Sequence, residues 1–362
     1  MPSRSLLAVA ALAVVAAACG GPTSSSTPAP GTSAASPEAQ ATAAAAPQAP
    51  LPPPAPTELR ATFLGTGAPR PSLDRYGPAT LIEAGGERVL VDPGPGLRER
   101  LLQAGSFDLI SGIDHVLVSH LHFDHTISLP DLWLTGWLFG RRTPLTVEGP
   151  AGTQAMMRHF EEAYRWDIDY RKAVGVPGDG VAIAARDIRP GVVFEKNGLK
   201  VTAFEVEHLP IDVKTRQRIP FEGQTFGFRF DFHGHSLVLS GDTRPTEAVV
   251  EHARGVDVLV HEVQVPSPDE TEEAKLANVS LSVHSEPKAV AGIFARARPK
   301  MAIYSHIIPP DVTEAQLRAA TPYDGPLTVA HDLMMVTIGD AIVVADRPRA
   351  QVQSFERSGA IR

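Results

Sequence analysis

The 362-residue chain has a single cysteine, Cys19, which excludes an internal disulfide and any metal site built from several thiolates. It also lacks an excess of basic charge. Lysine and arginine number 33 against 41 aspartate and glutamate residues, a formal net charge of −8. Such an acidic balance is a poor electrostatic match for RNA or DNA, so nucleic acid is not the expected partner. Long apolar runs are missing as well: the longest, Leu6 to Ala18, falls short of the roughly 20 residues that span a bilayer as a helix.

That run follows one cationic residue, Arg4, and reads as a secretion signal over residues 1–18. It ends Ala16-Ala17-Ala18-Cys19, an arrangement similar to a bacterial lipobox, in which Cys19 would be lipidated. Ala16-x-Ala18 also suits an ordinary signal peptidase. Residues 19–57 are almost wholly Ala, Pro, Ser, Thr and Gly, with Glu38 as the only charge. A segment so poor in burial-competent side chains cannot offset its ordering entropy and reads as a flexible tether. Together these features predict an extracytoplasmic lipoprotein of the bacterial cell envelope, with the membrane as partner through its lipid anchor.

Residues 58–346 are long enough to bury a substantial core, and 347–362 form a polar tail expected to fray. Within the body, short β-branched runs alternate with amphipathic segments, the pattern of an α/β protein. Leu59–Leu64, Thr80–Ala84 and Arg88–Val91 read as opening strands, and residues 152–165 and 285–297 as helices, the second with Ser285 as N-cap and Pro287 in its first turn. The stretch 173–191 is too rich in Gly and Pro to assign.

Apolar runs repeatedly end in Asp or His: Asp92, His120, His208, Asp242, His261 and His306. Carboxyl ends of strands in layered α/β folds are where sites assemble. VLVDPGPG leading to VLVSH120 is echoed by VLSGDTRP leading to VLVH261, a hint of two duplicated halves packed face to face. The densest signal is SHLHFDH, residues 119–125. In extended chain His120 and His122 point the same way and can share one metal, while Asp124 and His125 can reach a second.

His-x-His-x-Asp-His followed by distant His208, Asp242 and His306 resembles the metallo-β-lactamase superfamily, in particular its ribonuclease Z and arylsulfatase-like branch. GTGAPRP at 65–71, VDPGPG at 91–96, SGDTRP at 240–245, VHEV at 260–263, VHSEPKAVA at 283–291 and YSHI at 304–307 carry the likeness. The resemblance implies a four-layer αβ/βα sandwich and two Zn2+ ions per chain, with Mn or Fe suited to the same ligands. His120, His122 and His208 would hold one ion, Asp124, His125 and His306 the other, and Asp242 would bridge them. Asp92 would orient ligands, Glu262 and His284 would lie just behind them, and a dimer would be the family's usual assembly. Asp124 would orient or deprotonate the attacking water, and His261 would protonate the leaving group.

Weaker candidates are His331, which ends the run LTVAH, and Trp133, Trp137 and Phe139, which could line a pocket or pack in the core. His115, His159, His233, His235 and His252 show no pattern. Three functions compete. The first, favoured by the leader and the acidic body, is an exported, membrane-tethered hydrolase of a small-molecule sulfate, phosphate or carboxylic ester, or a lactone. The second is a ribonuclease Z-like phosphodiesterase processing tRNA 3′ ends. The third is a non-catalytic metal-binding protein on the same scaffold.

Overall fold

A computed structural model describes residues 52–346 apart from 106, 213, 216, 218, 220–222, 268, 270, 272, 273 and 275–277. The leader, Cys19, nearly all of the tether and the tail therefore lie outside the described residues.

The strands are β1 (Leu59–Gly65), β2 (Ala79–Ala84), β3 (Glu87–Val91), β4 (His115–Leu117), β5 (Leu145–Gly149), β6 (Ile183–Asp187), β7 (Gly191–Lys196), β8 (Leu199–Val206), β9 (Thr225–Phe232), β10 (His235–Leu239), β11 (Val258–Gln264), β12 (Met301–Ile308), β13 (Leu327–Val329), β14 (Met334–Ile338) and β15 (Ile342–Asp346). The helices are α1 (Leu97–Ala104), α2 (Phe107–Ser111), α3 (Leu129–Leu138), α4 (Thr153–Ala163), α5 (Arg165–Ala173), α6 (Glu247–His252), α7 (Pro287–Ala297) and α8 (Glu314–Ala320). The stretch 173–191 resolves into a short 3-10 turn followed by β6.

Two sheets form, one in the order β15-β14-β1-β2-β3-β4-β5-β6 and the other β13-β12-β11-β10-β9-β8-β7. Period-2 patterning explains how they face each other. Along β9, Phe226, Phe228, Phe230 and Phe232 all enter the core between the sheets, where they meet Phe63, Ile82, Val201 and Val260. Arg229, between two of these phenylalanines, pairs instead with Asp231 at 2.8 Å. A second core lies beneath α1 to α4 on the first sheet, around Trp133, Trp137 and Leu101. A third lies beneath α6 to α8 on the other, around Phe294, Val249 and Leu317. The result is the expected α/β four-layer sandwich.

The duplication hinted at by the sequence is visible in the topology. β3 runs through α1 and α2 to parallel β4, and β10 runs through α6 to parallel β11, each the first of three parallel crossovers in its sheet. Each is a β-α-β crossover whose first strand ends one or a few residues before an aspartate, Asp92 or Asp242.

One helix end differs from expectation. Glu286, not Ser285, is the N-cap of α7, and it offers no side-chain cap. Ser285 is fully buried; its hydroxyl donates to the Thr243 carbonyl at 2.7 Å and its N–H to Glu262 Oε1 at 3.0 Å. Tertiary partners have claimed the groups that a cap would use.

Candidate metal centre

The cluster forms where the two sheets present their carboxyl ends. His120 and His122 follow β4 in the first sheet, and Asp124 and His125 sit in the 3-10 turn Phe123–His125. His208 follows β8, Asp242 follows β10 and His306 lies within β12 of the second sheet. Local backbone features aim these side chains. Asp92 adopts φ 56 just after β3, a conformation unusual for a residue with a Cβ, and its N–H donates to the Leu117 carbonyl at 3.0 Å. Gly241 has φ 62, and a Cβ there would run into the Phe226 carbonyl, which accounts for glycine before Asp242. In the β11–β12 pairing, Glu262 faces Ser305 but Val263 faces Ile307, so His306 is an extra, bulged residue with φ 47. A bulge of this kind turns a side chain out of the ladder, here toward the cluster.

Asp242 Oδ2 stands at the centre. It lies 3.2 Å from His306 Nε2, 3.3 Å from His125 Nε2, and 3.9 Å from both His120 Nε2 and His208 Nε2. His120, His122 and His208 form one group of converging ligand atoms, and Asp124, His125 and His306 another. Hydrogen bonds fix the tautomers. The Ser119 hydroxyl donates to Asp92 Oδ2 at 2.8 Å, so it can only accept from His120 Nδ1 at 3.0 Å. His208 Nδ1 donates to the Val283 carbonyl at 2.9 Å. Each Nε2 is then left as a lone pair, and both face His122 Nδ1, at 2.9 and 3.2 Å. A proton on His122 Nδ1 could serve one of these lone pairs well but not both, whereas a cation among the three nitrogens would serve all of them. Asp124 Oδ2, His125 Nε2 and His306 Nε2 are likewise buried without a hydrogen-bond partner. The donor set therefore fits a divalent metal, and its nitrogen and carboxylate chemistry is that of zinc and its neighbours.

Electrostatics divides the histidines. Burial holds His120 well below the usual imidazole range and brings His208 down to about 3. Burial opposes charge on His125 and His306 too, but the carboxylates of Asp242 and Asp92 for the first, and of Asp242 and Asp124 for the second, outweigh it and raise both. Asp242 sits well below the carboxylate range despite its burial, because His306 and His125 favour its charged form.

Asp92 accepts from the Ser119 N–H at 2.7 Å and lies 3.0 Å from His125 Nδ1, a place from which it would orient that ring. His284 and Glu262 are closer to the chemistry than the sequence suggested. His284 Nδ1 is 3.2 Å from Glu262 Oε1, and His284 falls into ligand groups with His208 and Asp242 and with Glu262 and His306. Burial brings its imidazole down to about 4 and pushes Glu262 well above the carboxylate range.

His261 is corrected. On β11 Val260 belongs to the core between the sheets, whereas Leu259 and Val263 belong to the layer under the helices, and His261 shares their parity. Its ring is fully buried, 6.3 Å edge-on from Phe294 of that layer, with Nδ1 held by the Glu262 carbonyl at 2.7 Å. It joins no ligand group among the described residues and is not placed to reach a leaving group. Trp133 and Trp137 are fully buried core residues, their Nε1 groups donating to the carbonyls of Val181 and Pro177, and Phe139 stacks on Phe107 at 4.6 Å. None of the three lines the cluster. His331 pairs with Asp346 at 3.0 Å on the surface, and His115 and His159 pair with Glu148 and Glu162 at 3.3 and 3.2 Å. With His233, His235 and His252, they stay out of the ligand groups found among the described residues.

A model of the beta-lactamase superfamily domain matches residues 87–307, a span that includes every ligand named above. The chain belongs to the metallo-β-lactamase superfamily. It is a metal-dependent hydrolase. A protein of Mycobacterium marinum named Ribonuclease Z is 32% identical over 291 residues, covering 77% of this chain and 99% of that one. A Mycobacterium bovis protein of the same name is 31% identical over 298 residues, 77% of this chain and 98% of its own. The human short-form tRNase Z structure superposes with TM-score 0.57 at 22% identity, over 78% of this chain and 100% of its own. A metallo-β-lactamase fold protein from Bacillus subtilis gives the same TM-score, 0.57, at 15% identity over 78% of this chain.

These relatives overturn the first functional expectation. Proteins matched over nearly their whole length are named Ribonuclease Z, so the exported, membrane-tethered ester hydrolase gives way to the ribonuclease Z-like alternative. The cell-envelope location falls with it: it rested on residues 1–57, whereas the likeness to ribonucleases runs through the catalytic body. No helix among the described residues is long and apolar enough to cross a membrane.

Proposed function

We propose that this chain is a ribonuclease Z-like phosphodiesterase that hydrolyses an RNA phosphodiester, with tRNA 3′ ends as the substrate class. The observation that carries the reading is the convergence of His125, His306, His120 and His208 on one oxygen of Asp242, in a chain similar over most of its length to proteins named Ribonuclease Z. His120, His122 and His208 would hold one cation, Asp124, His125 and His306 a second, and Asp242 both, with zinc the cation best suited to the donors. When bound, the cations supply Lewis-acid polarisation of the phosphoryl oxygens, acidify water and offset the charge of the three aspartates, which answers locally the objection from the acidic net charge.

The chain's own residues do the rest. Asp92, through Ser119 and His125, holds the ring orientations. Asp124, whose Oδ2 is free of hydrogen bonds, orients the attacking water and accepts its proton. His284, backed by Glu262, whose burial favours its acid form, is the group placed to pass a proton to the departing ribose oxygen, the role first expected of His261. Glu262 is anchored by N–H groups of Thr243 at 3.2 Å and Ser285 at 3.0 Å, so it presents a fixed oxygen to the imidazole.

The test is cleavage of a tRNA precursor bearing a 3′ trailer by the purified chain, together with a leaving-group series of phosphodiesters. His284→Ala should cut turnover about 10²–10⁴-fold on poor leaving groups and less on good ones, with metal content retained. Equal losses across the series would remove His284 from proton transfer. Failure to cleave RNA, with carboxylic esters or lactones turned over instead, would overturn the ribonuclease reading.

A further inference from the structure

The ligand turn carries three apolar side chains that this chemistry leaves unused. Leu121, Phe123 and Ile127 are 37%, 59% and 53% exposed, while Asp124 and His125 between them are almost completely buried. A turn that hides Asp124, His125 and Thr126 while showing Leu121, Phe123 and Ile127 beside the exposed His122 runs against the ordinary surface pattern. The backbone holds that arrangement firmly. The Phe123 carbonyl accepts the N–H groups of Thr126 at 3.1 Å and Ile127 at 2.8 Å, and the His122 carbonyl accepts the His125 N–H at 3.1 Å and the Thr126 hydroxyl at 3.0 Å. With His122 and Asp124 on either side both in the ligand groups, Phe123 flanks the cluster along the chain.

We propose that Phe123 is a stacking platform for the nucleobase next to the scissile phosphodiester, with Leu121 and Ile127 as the apolar surround. The inference rests on the ribonuclease reading. In a nucleic-acid strand each phosphate has a flat, apolar-faced base one ribose away, so a phosphate placed at the cluster brings a base to this turn. Aromatic stacking accepts any base, because every base has a π-face. A small ester without such a ring has nothing to place on Phe123.

The experiment compares the parent chain, Phe123→Ala, Phe123→Leu and Phe123→Trp on an RNA substrate, and on the same RNA with an abasic residue on the 5′ or the 3′ side of the cleaved bond. Phe123→Ala and Phe123→Leu should raise KM about 5- to 100-fold, the usual worth of one stacked base, with metal content and melting temperature as in the parent. Phe123→Trp should keep KM near the parent value. One of the two abasic substrates should raise the parent's KM by a similar factor, and combining it with Phe123→Ala should add little, the mark of two groups in contact. A parental KM for Phe123→Ala, or variant and abasic effects that simply multiply on both sides, would overturn the platform. So would a loss confined to apolar carboxylic esters. A parent that cleaves no RNA fails before any substitution is made, and removes the platform together with the ribonuclease reading.

Discussion

His261 and His284 show how one residue type takes opposite parts according to what surrounds the ring. His261 is fully buried and the His284 ring largely so, and both are brought down to about 4, chiefly by loss of hydration. His284 has the Glu262 carboxylate 3.2 Å from its Nδ1 in the cluster, whereas His261 faces the Phe294 ring on the other side of its strand. The consequence for His261 concerns stability. A histidine lowered on folding contributes stability that is fully present above its unfolded pKa near 6.5 and is lost as pH falls toward 4. Across that window its share is about 3 kcal/mol. His261→Asn keeps a donor for the Glu262 carbonyl but cannot titrate. Its unfolding free energy should therefore fall less between pH 7 and pH 4 than the parent's, by about 3 kcal/mol, measured by denaturant titration at each pH. Parallel pH profiles would mean that the ring takes up its proton in the folded chain without penalty.

Elements are held in place here by polar groups far apart in sequence. Asp332, just before β14, accepts the N–H and hydroxyl of Thr66 at 2.9 and 2.8 Å and the Tyr76 N–H at 2.8 Å, and it pairs with Arg100 of α1 at 2.8 Å. It thereby joins β1, the loop after it and the first helix. The Thr66 carbonyl in turn accepts the Ile307 N–H at 3.0 Å, one residue from the bulged His306. Asp332→Ala leaves the buried Arg100 without its carboxylate, keeping Gln103 Oε1 at 2.8 Å and the Tyr76 ring face, so it should destabilise by about 3–5 kcal/mol, read as a lower denaturant midpoint with an unchanged slope. A shift below about 1 kcal/mol, the worth of an exposed pair, would show that Arg100 finds other partners. Nothing in the sequence announces this junction, because its members acquire meaning only when the sheets close. The same limit explains His261. Every residue of β11 is buried, so no polar-apolar alternation exists to tell which face a side chain takes. The bulge that aims His306 and the contacts that draw Ser285 away from a helix cap were equally out of reach. What could be read was local: the strands β1 to β3, helix α7 to within two residues, and the four ligand-type side chains between His120 and His125, where spacing along the chain already fixes proximity.

At the scale of the whole molecule the cluster lies across the seam between the sheets. His120, His122, Asp124 and His125 come from the β15-to-β6 sheet, and His208, Asp242 and His306 from the β13-to-β7 sheet. Cations bound by both sets would link the two sheets, so metal affinity becomes folding stability. A ligand at about 1,000 times its dissociation constant adds about 4 kcal/mol per site, and at about 2–4 °C per kcal/mol for a body of this size, chelation should lower the melting temperature by roughly 10 °C or more. Asp242→Ala separates this from a general loss of structure. Its oxygen stands within 3.9 Å of ring nitrogens from both ligand groups, so its removal should empty both sites together. The variant should hold far less than one metal per chain by elemental analysis. Its melting temperature should already sit near that of the chelated parent, and adding chelator should move it no further. If Asp242→Ala instead kept two metals and the parent's response to chelator, no single carboxylate would be joining the two halves of the site. The sheets would then be joined at the seam by two separate sites, one closed by His208 and the other by His306.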